Sequence, residues 1–178
     1  MKPRFLKRLR RSLRNEDGTA TIEFVIVFPV FIFLIASGAE MAMLNIHRGM
    51  LERAVDITVR DIRLSTGTTF EHDGVKQTIC ERAGFIKDCD SNLKLELVPQ
   101  DPRASLTITG EVDCVDRDEE INQQYKFENG QSNELMVMRA CVKIAPVMPT
   151  SALGTALADN DDGKYRLVAT TAFVQEPQ

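Results

Sequence analysis

Residues 18–46 decide the architecture of this chain, and they read GTATIEFVIVFPVFIFLIASGAEMAMLNI. Within this stretch, residues 24–39 form a run of 16 without a charged side chain. At 1.5 Å per residue such a run gives about 24 Å of helix, which is short of a hydrocarbon core of roughly 30 Å. Extending the count to Ile46 gives 23 residues with Glu40 as the one acid. We therefore predict a transmembrane helix that spans with modest tilt and kinks slightly at Pro29.

Charge is segregated along the chain. The first 14 residues carry seven Lys or Arg and no acid, whereas the remaining residues carry 15 bases and 26 acids. A basic segment before an apolar run is retained on the cytoplasmic side of a membrane, so the N-terminus is expected inside. The acidic remainder of the chain would repel phosphates, and this disfavours a nucleic-acid-binding function.

The helical pattern continues beyond the apolar run. Apolar residues recur at helical spacing as far as Ile62, with charged residues mostly on the other side. We predict one transmembrane and amphipathic helix over 19–63, about 68 Å long, followed by an α+β domain over 64–178. Within that domain the sequence favours one short helix and an antiparallel sheet of about four strands. The helix is expected at 73–85, a helical turn at 151–158, and the strands at 93–97, 106–114, 134–144 and 165–174.

A short motif lies between the basic segment and the apolar run. Residues 14–24 read RNEDGTATIEF, in which a Gly is followed by four residues and then by a Glu at the start of the hydrophobic helix. This arrangement resembles the processing site of type IV pilin-like precursors. The resemblance implies that a prepilin peptidase cuts between Gly18 and Thr19 and leaves Glu23 as the fifth residue of the mature chain. Glycine suits such a site because it lets an extended backbone enter the peptidase cleft.

The wider stretch, residues 15–63, looks like the TadE/TadF group of pseudopilins, which belong to the tight-adherence (Tad/Flp) type IV pilus machinery. The features that carry the resemblance are the Glu-Phe pair, the proline that follows it, and an amphipathic extension with Ala54 and Arg60. The resemblance implies a pilin-like fold with residues 1–18 as a basic leader peptide. It also implies a minor pilin or pseudopilin that is required for pilus assembly.

The same resemblance implies the location and the partners of the protein. The anchor is expected in the bacterial inner membrane as a single pass, with the C-terminal domain in the periplasm or carried into the surface pilus. The implied partners are the prepilin peptidase, other pilins and pseudopilins including the major Flp pilin, and the Tad inner-membrane assembly platform.

Two acids, Glu23 and Glu40, lie in or near the membrane segment. A carboxylate in that environment is costly unless it is paired. The resemblance implies that Glu23 meets the new α-amino group of a neighbouring subunit and sets the axial register between helices. Alternatively, Glu23 only marks the cytoplasmic helix end, where an acid complements the helix dipole. Glu40 is a candidate for intramembrane pairing with a basic residue of a neighbouring subunit, or it lies in the headgroup zone.

A secretory signal is the alternative explanation of the apolar run. Residues 36–39 read ASGA and contain small-residue triplets that suit a signal peptidase. The protein would then be a signal-anchored or secreted periplasmic binding domain that does not assemble into pili. Against this, the segment before the apolar run is long for an export signal and contains the acids Glu16, Asp17 and Glu23.

Four cysteines, Cys80, Cys89, Cys114 and Cys141, all follow the membrane segment. On an oxidising side of the membrane two disulfides are expected, and four cysteines allow three pairings. We favour Cys80 with Cys89 and Cys114 with Cys141. The second pair needs a bulge or an edge position, because Cys141 shares its strand phase with charged residues and Cys114 with apolar ones.

The sequence predicts neither a metal site nor a catalytic site. It has no Cys-x2-Cys spacing, and its two histidines lie away from the cysteines, which disfavours zinc. Residues 159–163, DNDDG, do not fit the spacing of a calcium-binding EF-hand loop and predict a turn, and residues 116–120 predict a solvated acidic loop. No phosphate-binding glycine loop, nucleophile elbow or metalloprotease motif is present. We therefore expect a protein without enzymatic activity or cofactor.

Overall fold

The computed structural model describes residues 19–65, 68–103, 114, 126–149, 151–158 and 163–177. Its helices are α1 (Thr19–Leu64), α2 (His72–Ala83), α3 (Cys89–Asn92) and α4 (Ala152–Leu157), and its strands are β1 (Leu93–Gln100), β2 (Leu135–Ile144) and β3 (Tyr165–Val174). The chain divides into two compact units, residues 1–39 and residues 40–178. The expected leader peptide, the acidic stretches 116–120 and 159–162, and the strand expected over 106–114, apart from Cys114, lie outside the described residues.

The first unit contains the N-terminal part of α1. Its large apolar side chains, from Ile22 to Ile35, are all exposed, between 44% and 66%. Among the described residues, α1 is the one helix long and apolar enough to cross a membrane, with a mean hydropathy of 2.4 in its most apolar window. Such a helix is compatible with a single-pass membrane anchor, because its apolar surface is left for lipid or for other helices.

The second unit contains a three-stranded antiparallel sheet in the order β1-β2-β3. Its register places Leu95 opposite Ala140, and Ala140 opposite Ala169, so these three side chains share one face of the sheet. The α+β class with a long apolar helix is confirmed. The described part of the sheet has three strands instead of about four, because the second expected strand falls on residues that are not described.

The core of the second unit lies between the sheet and the helices. Leu51, Val55 and Ile62 of α1 and Ile79 of α2 are buried, and they pack with alternate residues of all three strands. Burying one such side chain contributes about 1.5–3 kcal/mol, so the C-terminal part of α1 belongs to the folded domain. Within this unit the helices are also tied by an ion pair of 2.5 Å between Arg82 and Asp61.

Local signals in the sequence explain where α2 ends. Gly84 takes a left-handed conformation, with φ 67°, and its N–H donates to the carbonyl oxygen of Cys80. A glycine adopts this conformation without the steric cost that a side chain brings, so it closes the helix. The short helix α3 then leads into β1 and has no counterpart among the sequence-based expectations, because four residues are too few to show a period.

Candidate assembly site

The motif at the start of α1 is described only in part. Gly18 lies outside the described residues, and Thr19 is the first residue of α1. Glu23 is the fifth residue of that helix and is exposed. Glu23 lines an open depression of the helix surface, whose other lining residues are Ala20, Phe24, Val27, Phe28 and Phe31. The first unit therefore presents an acid on an otherwise apolar surface.

Glu40 is the first residue of the second unit and is 1% exposed. Its carboxylate accepts three hydrogen bonds. The backbone N–H of Val147 donates to Oε1 at 2.9 Å, and the backbone N–H of Met148 donates to Oε2 at 2.8 Å. The hydroxyl of Tyr165 donates to Oε1 at 2.8 Å. An ionised carboxylate only accepts hydrogen bonds, so three donors and no acceptor match its charged form.

The local sequence of the β2–β3 loop (residues 145–164) explains why the N–H groups of Val147 and Met148 are available to Glu40. Its sequence Pro146-Val147-Met148-Pro149 leaves two N–H groups between two prolines that have none. Farther along, Ser151 caps α4 by accepting from the N–H of Gly154 at 2.9 Å. A β-carbon at Gly154 would collide with the carbonyl oxygen of Met148. The start of α4 is thus closely packed against Met148, one of the two residues whose amides bind Glu40.

Burial and the hydrogen bond to Glu40 raise the pKa of Tyr165 to about 12. The burial of the phenol disfavours its ionised form, and the nearby carboxylate adds repulsion to a second negative charge. Tyr165 is therefore a neutral hydroxyl donor across the physiological pH range. The side chain is 4% exposed, so water has little access to this bond.

The sequence left two roles open for Glu40, pairing with a basic residue of a neighbouring subunit or a place in the headgroup zone. Its partners among the described residues are two amides and a phenol. Sequence reasoning missed Val147, Met148 and Tyr165. Pro146 and Pro149, which flank the two amides, were the one local signal that these N–H groups need an acceptor outside the loop. They do not identify which acid accepts from them. These contacts lie within one chain, so they do not test whether Glu40 pairs with a neighbouring subunit.

The four cysteines form two disulfides in the described structure. Cys80 is joined to Cys89 with a Cα–Cα distance of 5.8 Å, and Cys114 is joined to Cys141 with a Cα–Cα distance of 5.3 Å. Cys141 lies in β2, the central strand of the described sheet, and the register with β1 and β3 runs through it without a bulge, so the bulge or edge position expected for this pair is not found at Cys141. Among the described residues, no group of three or more acidic, His or Cys side chains is placed to hold a metal ion.

Helix α1 also exposes apolar side chains within the second unit. Met43, Met50, Ile57 and Leu64 follow one another at intervals of seven residues, and they are between 38% and 61% exposed. We call these four residues the apolar flank. A seven-residue period places them along one side of the helix, next to the side that is buried in the core. This pattern suits packing against another helix.

The comparison with known protein families finds a match that covers Gly18 and most of α1. A sequence model described as TadE-like protein matches residues 18–60, which include Glu23, Glu40 and three residues of the apolar flank, Met43, Met50 and Ile57. No curated protein and no solved structure matches the chain. The match covers the segment on which the sequence resemblance was based, and it ends before the sheet begins. Residues 18–60 of this chain are therefore TadE-like.

Proposed function

We propose that this protein is a minor pilin or pseudopilin that takes part in the assembly of a Tad/Flp type IV pilus. The observation that carries the proposal is the TadE-like match over residues 18–60, on a helix whose apolar side chains are exposed. The proposed anchor is a single pass through the bacterial inner membrane, with the leader in the cytoplasm and residues 64–178 in the periplasm. The work of such a protein is structural, and no enzymatic step is assigned to it.

Processing is the first proposed step. A prepilin peptidase would cut between Gly18 and Thr19, which removes seven bases and two acids from the chain. The new α-amino group is a cation at the start of α1. Glu23 lies four residues farther along, about 6 Å of helix rise. A carboxylate on an apolar surface needs a cation in lipid, so Glu23 of one subunit would pair with the amine of its neighbour and set the axial register.

Packing between helices is the second proposed step. In the first unit the exposed apolar side chains supply a surface for lipid and for the helices of other pilins. In the second unit the apolar flank supplies an exposed apolar surface of its own. Its seven-residue period fits the helix of a neighbouring pilin or pseudopilin at a small crossing angle. The proposed partners are other pilins, including the major Flp pilin, and the Tad assembly platform.

One observation favours the alternative of a secreted or signal-anchored periplasmic domain. The second compact unit begins at Glu40, directly after the small residues 36–39. A signal peptidase that cut there would release a chain that keeps the whole unit, including the buried carboxylate of Glu40 and its three donors. Such a domain would not assemble into pili.

The mature N-terminus, determined by mass spectrometry of the protein from cells, distinguishes these proposals. The pilus proposal expects Thr19, a secreted domain expects Glu40 or a residue near it, and a simple anchor expects Met1. Gly18→Ala should leave the precursor uncut and abolish piliation. Gly49→Ala is the matched control, because a β-carbon at Gly49 meets nothing within 4 Å and Gly49 lies outside both candidate cleavage sites. Normal pili in the Gly18→Ala strain, or a wild-type N-terminus other than Thr19, would overturn the proposed mechanism.

A second measurement isolates Glu23. Glu23→Gln keeps the size of the side chain and removes its charge, so the precursor should still be cut at Thr19 while pili on the cell surface, counted by electron microscopy, become rare. If the variant is processed and forms pili at the wild-type level, Glu23 does not set the register.

A further inference from the structure

A second row of residues runs beside the apolar flank on α1. It consists of Ile46, Arg53 and Arg60, which also follow one another at intervals of seven residues, and we call it the arginine row. Each member lies three residues beyond a member of the apolar flank, so the two rows alternate by three and four residues. All three side chains are exposed, Ile46 by 53%. This alternation is the spacing of a coiled-coil seam, in which two rows of one helix face a partner helix together.

The two guanidinium groups of the arginine row have unused hydrogen-bond donors. Among the residues that the structure describes, neither Arg53 nor Arg60 makes a hydrogen bond or an ion pair. Each guanidinium presents five N–H donors in a planar fork, and the geometry of this fork matches a carboxylate. A helix that faces the arginine row can therefore satisfy these donors with Asp or Glu side chains.

The acids of α1 that lie nearest to the arginine row do not neutralise it. Glu52 is paired with Arg48 at 2.9 Å, and Asp61 is paired with Arg82 of α2. Asp56 lies on the far side of the arginine row from the apolar flank and lines a depression between α1 and β3. The side of α1 that carries the two rows is therefore apolar and positively charged.

A second copy of this chain does not suit this surface. Two copies anchored in one membrane with the topology proposed above run parallel. In a parallel pair equivalent rows meet, so Arg53 and Arg60 of one copy would face the same two residues of the other. A shift by seven residues would still set Arg53 against Arg60. Like charges that face each other are destabilising, so the arginine row disfavours self-association.

We propose that the apolar flank and the arginine row dock an acidic amphipathic helix of a different pilin or pseudopilin. This inference deepens the proposed role in pilus assembly and rests on it. The partner helix would carry apolar residues at intervals of seven, which meet the apolar flank, and an Asp or Glu opposite each arginine. Apolar contacts supply the affinity, and the charges exclude basic helices and further copies of this chain. The protein would thus enter an assembly beside a particular partner subunit and not beside itself.

The experiment is photocrosslinking in cells that make the full chain. The photoreactive residue p-benzoylphenylalanine replaces Ile57, which is 39% exposed and lies between the two arginines. Mass spectrometry then identifies the peptide that is attached to it. We expect a peptide of another pilin or pseudopilin, with an Asp or Glu within one helical turn of the crosslinked residue. The control position is Glu52, which is exposed on another side of α1 and should give little of this adduct.

Charge variants test the arginine row itself. Arg53→Glu with Arg60→Glu should lower the yield of the Ile57 adduct by roughly fivefold, the effect of losing two ion pairs at a protein surface. The matched control, Arg48→Glu with Arg63→Glu, makes the same charge change at exposed arginines of the same helix that belong to neither row. It should leave the yield close to that of the wild type. A change to Lys at the acid found in the partner should restore the adduct of the Arg53→Glu, Arg60→Glu chain.

Several results would overturn the inference. An adduct with a second copy of this chain, with lipid alone or with a peptide that has no acid near the crosslink would each assign the surface to another occupant. The absence of any adduct, or an equal effect of the two charge pairs, would also contradict it. If the chain begins at Thr19 in cells and pili form while the adduct contains a second copy, this inference fails alone. A mature N-terminus other than Thr19 counts against the pilus proposal, whatever the adduct contains.

Discussion

Glu40→Gln removes the charge of a buried carboxylate while it keeps the size of the side chain. In the native arrangement one carboxylate oxygen accepts from Val147 and Tyr165, and the other accepts from Met148. A glutamine has one oxygen and one NH₂ group, and the NH₂ group donates. Whichever way the amide is turned, one of the two backbone N–H groups faces a donor and loses its acceptor.

The cost of this change follows from the donors that lose their partner. One buried N–H without an acceptor costs about 1–3 kcal/mol, and the remaining bonds lose the strengthening that a charged acceptor gives. We expect Glu40→Gln to destabilise the second unit by about 2–4 kcal/mol. Tyr165→Phe removes one donor and leaves both amides bound, so it should cost about 1–2 kcal/mol. The two changes should be non-additive, because they affect one hydrogen-bonded group.

Amide hydrogen exchange of the full chain in detergent micelles measures the effect at the site. A loss of 2–4 kcal/mol corresponds to roughly 30-fold or more in the exchange rate of the amides of Val147 and Met148. Urea unfolding of the same samples gives the change in global stability. Glu52→Gln is the matched control on the same helix, since Glu52 is exposed and its ion pair is with exposed Arg48, at 2.9 Å. That control should stay within about 0.5 kcal/mol of the wild type.

The reasoning is refuted if Glu40→Gln leaves the exchange of both amides unchanged and its stability equals that of the Glu52→Gln control. In that case the carboxylate of Glu40 would contribute no more than a surface acid. A loss of global stability without faster exchange at Val147 and Met148 would also contradict the account, because it would place the effect elsewhere in the domain.

Two further predictions concern the β2–β3 loop and its neighbour on β3. The pKa of Tyr165 is raised to about 12 by burial and by the adjacent carboxylate, so the folded state favours the protonated phenol. The stabilisation of the folded state by this raised pKa is complete below the ordinary pKa of about 10 and is lost as the pH rises towards 12. The Tyr165→Phe variant should lack this pH-dependent stabilisation. Urea unfolding midpoints of the two proteins, measured between about pH 8 and 11.5, test the difference. Gly154→Ala should cost about 1–3 kcal/mol, because its β-carbon meets the carbonyl oxygen of Met148, while Gly38→Ala should cost nothing measurable in thermal unfolding. A pH profile shared with the phenylalanine variant, or a Gly154→Ala protein as stable as Gly38→Ala, would contradict these accounts.

The long helix could be predicted because its signal is local and repeated. The apolar run and the helical spacing beyond it predicted a helix over 19–63, and the structure has it over Thr19–Leu64. The two strands that were richest in apolar residues were also predicted within one residue of β2 and β3. Each of these elements repeats its pattern over enough residues for the period to be read.

The seven-residue spacing of the apolar flank can be read from the sequence, whereas the exposure of these four residues cannot. Met50 and Leu51 are neighbours and both apolar, yet Met50 is 38% exposed and Leu51 is 1% exposed. The sheet and α2 cover only part of the apolar arc of α1. Which part stays uncovered depends on how these elements pack, and periodicity alone does not determine that.

The sequence by itself determined that this chain has a basic N-terminal segment, an apolar helix with an acid near its start, and an α+β domain, because those features depend on neighbouring residues. The place of Glu40 was decided only by the tertiary structure. Its hydrogen-bond partners lie 107, 108 and 125 residues away along the chain. Burial of a carboxylate is tolerable only where donors converge on it, and that convergence exists only after the sheet and the β2–β3 loop have folded against α1.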